Sequence, residues 1–494
     1  GGGGGGEERE RERERMMKPS PLPASDLELE LHSLHNHHTF FSSDQSQMLP
    51  STPSKLHPHL NDDNLPLLRP SAHTSQSGAG FGGAVFNLAT SIIGAGIMAL
   101  PATMKVLGLP VGFFAIMIMG LISEASIELL IHFSTHIKVW TYGETVQGAC
   151  GPIGRKVSEI CIIVNNAGIL IVYLIIIGEV LSGSETGDHE GFLNQLAGHK
   201  GWWSNRSLVI LLTLIFGLVP LCFLKRIDSL RFSSAVSVLL AIVFVVLSTG
   251  IAVVKLFLGD LSKPRLLPDS ASVLDLLVVI PIMTNAFICH FNVHPIYHEL
   301  QDRTPTAMRR VGRASTLLCV VVYSMTAISG YLLFGESTAS DVLTNFDKNL
   351  GVRFSSLLNA VIRVGYVIHL ILVFPVIHYS LRQTVDVFLF PHAKESHRRF
   401  VCITLVQLAL VYLGSAFIPN IWIAFQFTGA TTGLSLGFIF PALIGIRWCK
   451  YLNIEMGKRR AILIGCWSML VMAVLVSCIG VSGNVISLTR RFRH

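Results

Sequence analysis

The chain has 494 residues, of which 51% are hydrophobic and 14% charged, with a mean hydropathy of +0.56. A water-soluble domain carries about a quarter charged residues interleaved with its apolar ones, so this composition describes a membrane protein. The formal net charge of +7 is uneven: residues 1 to 78 hold 7 basic and 11 acidic side chains, leaving 31 and 20 for the rest. A basic excess among membrane loops sets topology and excludes nucleic-acid binding, which needs a clustered basic face on a folded domain. Nine cysteines occur without a CxxC pair, and Cys161, Cys319, Cys402 and Cys478 lie in apolar runs, as buried hydrophobes rather than a disulfide framework do.

Residues 1 to 15, GGGGGGEERERERER, end in the Glu-Arg alternation that a GA dinucleotide repeat encodes, and read as translated leader with the native start at Met16 or Met17. The stretch 1 to 78 is rich in Pro, Ser, His and Asn without periodicity. It is expected to be a disordered cytosolic tail, because it cannot bury enough apolar surface to offset its ordering entropy. Its histidines, His32, His35, His37, His38, His57 and His59, have no scaffold to fix a coordination geometry, so no metal or cofactor is expected. Asp63, four positions before the Leu67-Leu68 pair, resembles the acidic dileucine signals that sorting adaptors read for delivery to lysosomes or vacuoles; an inert apolar cluster is the alternative. No signal-peptide core precedes the first apolar span, which is expected to act as an uncleaved anchor.

From residue 79 to 483 the chain is a succession of apolar stretches long enough to cross hydrocarbon as helices. Eleven are expected, at 81 to 102, 110 to 132, 157 to 182, 207 to 224, 233 to 258, 273 to 297, 311 to 334, 354 to 378, 401 to 418, 420 to 446 and 461 to 483. With the N-terminus in the cytosol, the cytosolic loops hold nineteen Lys and Arg against eight opposite, which fixes that orientation and leaves 484 to 494 as a short tail on the far side. The sequon Asn205-Arg206-Ser207 then falls in a non-cytosolic loop but abuts the fourth span.

The interruptions are the informative feature. In the first span Gly94 and Gly96 stand one residue apart at mid-depth, with Asn87 and Ser91 one turn apart on one face. In the sixth, Pro281-Ile282-Met283-Thr284-Asn285-Ala286-Phe287-Ile288-Cys289-His290 breaks an apolar helix with polar residues, and Pro295 follows. These spans open two five-span halves, and interrupted helices in matching positions point to a transporter's midplane site. Free N–H groups near Gly96 and Ile97 suit a carboxylate, and unpaired carbonyls near Thr284 and Asn285 suit an ammonium. Together they describe a free amino acid, bound by Thr90, Ser91, Gly94, Ala95, Gly96, Ile97, Thr284, Asn285 and Phe287. Close helix packing at the glycines is the competing reading.

The runs Asn87-Leu88 to Gly94-Ala95-Gly96-Ile97, Cys289-His290 to Pro295-Ile296-Tyr297 with Glu299-Leu300, and Gly429-Ala430-Thr431 to Pro441 resemble the amino acid/auxin permease family. Within it they are similar to the vacuolar amino acid transporters and to the sodium-coupled neutral amino acid transporters. The resemblance covers residues 80 to 483. It implies an all-α polytopic membrane protein of eleven transmembrane helices, a LeuT-type five-plus-five inverted repeat plus one extra helix, and secondary active transport of amino acids at a vacuolar or lysosomal-type membrane. The sodium-coupled relatives have an Asn where this chain has Thr90 and threonines in the eighth span where it has residues such as Tyr366 and Ile368. Losing oxygen ligands argues for proton-driven or uncoupled transport, with a sodium symporter and a sensor of transporter fold as alternatives.

Three residues are the coupling candidates. Arg363 sits at mid-depth in the eighth span, where insertion costs about 2.5 to 3.5 kcal/mol, so it must face protein or water. Its alternatives are an internal cation near the second sodium position and a fixed structural ion pair. Glu124 shares a helix face with Glu128, and Glu179 lies near the far end of the third span; a partly desolvated carboxylate is suited to carrying a proton. His290 is the other acceptor, followed at helical spacing by His294 and His298, with hydrogen-bonded core histidines as the plain alternative. His369, Asn165, Asn166, Gln426, Thr428, Thr431 and Thr432 are further polar groups that line a pathway or bond between helices. No paired nucleophile and base lies in the spans, so an intramembrane enzyme is not expected.

Overall fold

A computed structural model of the chain describes residues 80–183, 189–224, 231–268, 273–391, 393–394, 396–418, 420–451 and 455–491. The tail 1 to 78, its sorting motif at Asp63, Leu67 and Leu68, and residues 492 to 494 lie outside the described residues, as do the loop charges Lys225 and Arg226. Regular structure among the described residues is helical. Helices α1 (Phe81–Ile92), α2 (Gly96–Leu107), α3 (Leu109–Ile137) and α4 (Tyr142–Ser182) are followed by the short α5 (Phe192–Ala197). Then come α6 (Arg206–Cys222), α7 (Arg231–Leu258), α8 (Val273–Phe287), α9 (Val293–Glu299), α10 (Pro305–Phe334), α11 (Ser355–Leu389), α12 (His397–Phe417), α13 (Ile421–Trp448) and α14 (Met456–Arg491). This is a multi-pass membrane protein. Eight helices among the described residues are long and apolar enough to cross a bilayer, or nine when the bent pair α1 and α2 counts as one span. The fourth and sixth expected spans correspond to shorter apolar helices, α6 and α8, of which α8 has 15 residues before its break.

Each irregularity has a local cause, and hydrocarbon favours partners for the backbone groups it frees. Gly151, with φ of 76°, lets α4 turn ahead of Pro152, so an arm from Tyr142 precedes the membrane portion. In α13 two π-helical stretches, Gly429–Gly433 and Ser435–Ile439, widen the helix where α8 approaches. The close approach is at Gly429, where a Cβ would lie 2.0 Å from the Pro281 carbonyl oxygen. Carbonyls loosened by the widened turns are taken up from outside: the Ser477 hydroxyl donates to Ala430 at 2.5 Å, and the Tyr142 hydroxyl to Leu436 at 2.7 Å.

Two features were not foreseen in the sequence. Helix α5 and a 3-10 turn at Val342–Asp347 fold in over the end of the protein opposite its basic loops, and both carry buried residues. They are compact because their polar groups interlock: Glu190 N–H donates to Asp347 Oδ2 at 3.0 Å, and Gln195 Nε2 to the Asp347 carbonyl at 3.0 Å. Asn205 is engaged as the N-cap of α6, its Oδ1 accepting from Leu208 N–H at 3.1 Å.

The packing at Gly429 predicts that Gly429→Ala destabilises by about 1 to 3 kcal/mol, because the blocking atoms are backbone. Gly250→Ala, on a helix surface with nothing within 4 Å, is expected to be neutral or to stabilise by up to about 1 kcal/mol. Thermal unfolding in detergent checks both, and equal melting temperatures for the two variants would refute the close-approach argument.

Candidate functional site

The first break falls at Ile93-Gly94-Ala95, where α1 and α2 meet at 61°. Ile93 turns to extended geometry (ψ 100°), and the helix resumes with Ile97 N–H donating to the Gly94 carbonyl at 3.2 Å and Met98 N–H to Ala95 at 3.1 Å. The N–H groups of Gly94 and Gly96 make no backbone hydrogen bond among the described residues. They stand at the start of α2, where the helix dipole is positive.

The second break follows Phe287. Ile288 and Cys289 leave helical geometry, a 3-10 turn runs over His290–Asn292, and α9 begins at Val293. The carbonyls of Thr284 and Asn285 accept nothing from the backbone beyond the helix. The two breaks meet: a Cβ on Gly96 would lie 2.8 Å from Ala286 Cα. Glycine is required there by this contact.

Three buried tyrosines close over the junction, and the sequence reading did not single out Tyr173 or Tyr323. The Tyr323 hydroxyl of α10 lies 2.6 Å from the Ile92 carbonyl and 2.7 Å from that of Ala286, so one proton serves the loose ends of both broken helices. The Tyr366 hydroxyl of α11 donates to the Gly94 carbonyl at 3.0 Å. The Tyr173 hydroxyl of α4 bonds the Ala95 backbone and would lie 2.9 Å from a Cβ on Gly94. The only signal for them in the sequence is a phenol within an apolar run, which needs a partner when buried.

Of the expected binding residues, Gly94, Ala95, Gly96 and Ile97 come together with Thr284, Asn285 and Phe287. Thr90 and Ser91 are turned to their own helix, bonding the carbonyls of Phe86 at 2.7 Å and Asn87 at 3.0 Å. Thr284 likewise bonds Ile280 at 2.8 Å. Asn285 reaches across to Thr428 Oγ1 at 3.1 Å, leaving its buried Oδ1 without a partner among the described residues. Phe287 packs edge-on against Tyr323 at 5.0 Å, and its carbonyl accepts from Ser123 Oγ at 3.3 Å.

The coupling candidates lie apart from one another. His290 is buried, 2.5 Å from Ser126 Oγ through Nε2, and His294 is 3.1 Å from Thr145 Oγ1. Glu124 is met by Arg313 at 2.8 Å, and Glu128 by Arg309 at 3.0 Å, so both carboxylates join α3 to the start of α10. Arg363 is only 1% exposed, yet its hydrogen bonds go to no carboxylate: it donates to the Val180 carbonyl at 2.9 Å, the Glu190 carbonyl at 2.7 Å and Gln195 Oε1 at 2.9 Å. It holds the α5 segment onto the ends of α4 and α11. Ile368 faces outward at 42% exposure, whereas His369 is buried on the Ser237 carbonyl at 2.7 Å.

If the tyrosine hydroxyls hold the broken ends, Tyr323→Phe strands two carbonyls and Tyr366→Phe one, each unsatisfied group costing about 1 to 3 kcal/mol. Tyr323→Phe should therefore lower the melting temperature in detergent more than Tyr366→Phe does. A wild-type melting temperature for Tyr323→Phe would show that the breaks do not depend on it.

Residues 77–486 match the family model described as transmembrane amino acid transporter protein. Amino acid transporter AVT6E of Arabidopsis thaliana is 56% identical over 421 residues, covering 84% of this chain and 85% of the relative. Amino acid transporter AVT6A of the same plant is 50% identical, covering 76% and 82%. Among solved structures, Mhp1, a nucleobase-cation-symport-1 family transporter in a closed conformation with bromovinylhydantoin bound, is similar with a TM-score of 0.52 at 12% identity, covering 84% of this chain and 93% of that one. A mutant manganese transporter of Eremococcus coleocola gives a TM-score of 0.52 at 14% identity, covering 87% and 92%. Those two likenesses concern the fold alone, an all-helical arrangement of the LeuT type. The matched family model and the close relatives go further: this chain belongs to the transmembrane amino acid transporter family, whose members are transport proteins and not enzymes.

Proposed function

We propose that the chain is a proton-linked secondary active transporter that binds a free amino acid between its two broken helices. The observation that carries this reading is the meeting of the breaks, with Gly96 on Ala286, unpartnered N–H groups at the start of α2 and open carbonyls at the end of α8. The first set suits the substrate carboxylate and the second its ammonium.

Coupling to protons rather than sodium is supported by what occupies the cation's place. A sodium ion between the first and eighth spans needs several oxygen ligands. Here the Tyr366 hydroxyl already takes the Gly94 carbonyl. The nineteen-to-eight charge bias supports a cytosolic N-terminus. The resemblance to vacuolar transporters, with Asp63, Leu67 and Leu68 as an adaptor signal, supports a vacuolar-type membrane.

Purified protein in proteoliposomes tests this. Labelled amino acid should accumulate under an imposed proton gradient, with a proton gradient collapsing in step, and should not respond to a sodium gradient. Accumulation driven by sodium alone would establish the sodium symporter instead. Saturable binding with no flux under either gradient would establish a sensor.

A further inference from the structure

The loop between α10 and α11 carries a carboxylate that the binding site does not use. Asp341 is 1% exposed. Its Oδ1 caps the Val342 turn by accepting from Leu343 N–H at 3.0 Å, while its Oδ2 is buried without a hydrogen-bond partner among the described residues. A buried carboxylate oxygen with nothing to accept from is costly when ionised and is relieved by a proton.

The groups around it explain why a proton would come and go. From α11 the Arg363 guanidinium attracts the charge, while its Nη1 and Nη2 donate to Gln195, Val180 and Glu190 and its buried Nε has no hydrogen-bond partner among the described residues. From α4 the Glu179 carboxylate stands within electrostatic reach of Asp341, and Arg206 of α6 faces Glu179 from the other side. Asp347 and Glu190 share the field of Arg363. The Tyr366 ring, whose hydroxyl holds the Gly94 carbonyl at the first break, also lies in the field of Asp341. The same loop is fastened to α2 through Lys105 Nζ, which donates to the Thr338 carbonyl at 3.4 Å. Asp341 therefore sits where a cover tied to the broken helix meets α4 and α11.

We propose that Asp341 is a proton-binding site of the transport cycle, beside Glu179 and Arg363, which takes up a proton as the 338–347 loop seals over the broken helices and releases it to water when the loop lifts. This rests on the proton-linked reading given above and assigns the proton a residue. Burial pushes the Asp341 carboxyl up to about 7, against the pull of the Leu343 N–H and Arg363. In the lifted loop the group returns toward the ordinary aspartate value of about 3.9. Between those values sealing consumes a proton, so acid on that side favours the sealed form; the advantage is full below about 4, shrinks as pH rises and is gone by about 7.

The test is transport in proteoliposomes with the pH on the loop-bearing side varied alone. Wild-type rates should fall by up to about tenfold per pH unit between about pH 4 and about pH 7 and level off above. Asp341→Asn, which keeps the capping oxygen, should lose that fall, with nearly equal rates at about pH 5 and about pH 7 whatever its absolute rate. Arg363→Gln removes the attracting charge and should move the levelling point to higher pH, an outcome that does not depend on Asp341→Asn folding. Asp341→Asn with the wild-type fall, Arg363→Gln with an unmoved levelling point, or a wild-type fall that continues well above about pH 7, overturns the assignment. A wild-type protein indifferent to protons on both sides overturns the proton-linked reading itself.

Discussion

An unpaired peptide group in hydrocarbon costs several kcal/mol, and that constraint governs this protein more than any side-chain contact. A transmembrane helix normally satisfies its own backbone, so breaking two of them at mid-depth creates a debt that other residues must settle. Here the carbonyls of Ile92, Gly94 and Ala286 are taken by the phenols of Tyr323 and Tyr366. A tyrosine suits the task because its ring packs like a hydrophobe while its hydroxyl reaches the backbone. Gly94 and Gly96 are small for the same reason: the first makes room for Tyr173, the second for Ala286. The N–H groups of Gly94 and Gly96 make no backbone hydrogen bond among the described residues.

The sequence announced the breaks because glycine, proline and amide residues are conspicuous in apolar runs. Gly94, Gly96, Pro281 and Asn285 stand out by composition alone. It did not announce which groups repair them, since Tyr173 and Tyr323 differ from other aromatic residues only by where they point in three dimensions. The same limit applied to charge. Arg363 was legible as an expensive residue that must face protein, but its partners are two backbone carbonyls and a glutamine amide, from the end of α4 to α5, 168 to 183 positions away. Carbonyls leave no mark in a sequence. Likewise Asp341 reads as an ordinary loop acid until the fold removes its water. Thr90 and Ser91 share the site's stretch of chain yet bond their own helix, because a hydroxyl one turn after a carbonyl satisfies itself most easily there.

Side-chain bonds sort the helices into two sets. Helix α10 gathers one of them: Ser315 donates to Val85 of α1 at 3.0 Å, Tyr323 holds α1 and α8, and Arg309 and Arg313 pair with Glu128 and Glu124 of α3. The other is built on α4 and α11: Arg363 grips Val180, Asn166 reaches Ser380 at 3.4 Å, and His369 meets Ser237 of α7. Among the described residues the polar bonds that cross between the sets include Thr145 of α4 with His294 of α9 at 3.1 Å and, at the first break, Tyr366 and Tyr173 reaching Gly94 and Ala95.

That distribution has a mechanical consequence. Bonds inside a set resist deformation, so relative motion concentrates at the crossing, where two hydroxyls are lost and water or a ligand can replace them at little net cost. Tyr323 behaves differently from the other two tyrosines, because its carbonyls both belong to its own set and need not part when the sets do. The broken helices thus stay joined to each other while their grip on α4 and α11 is exchangeable.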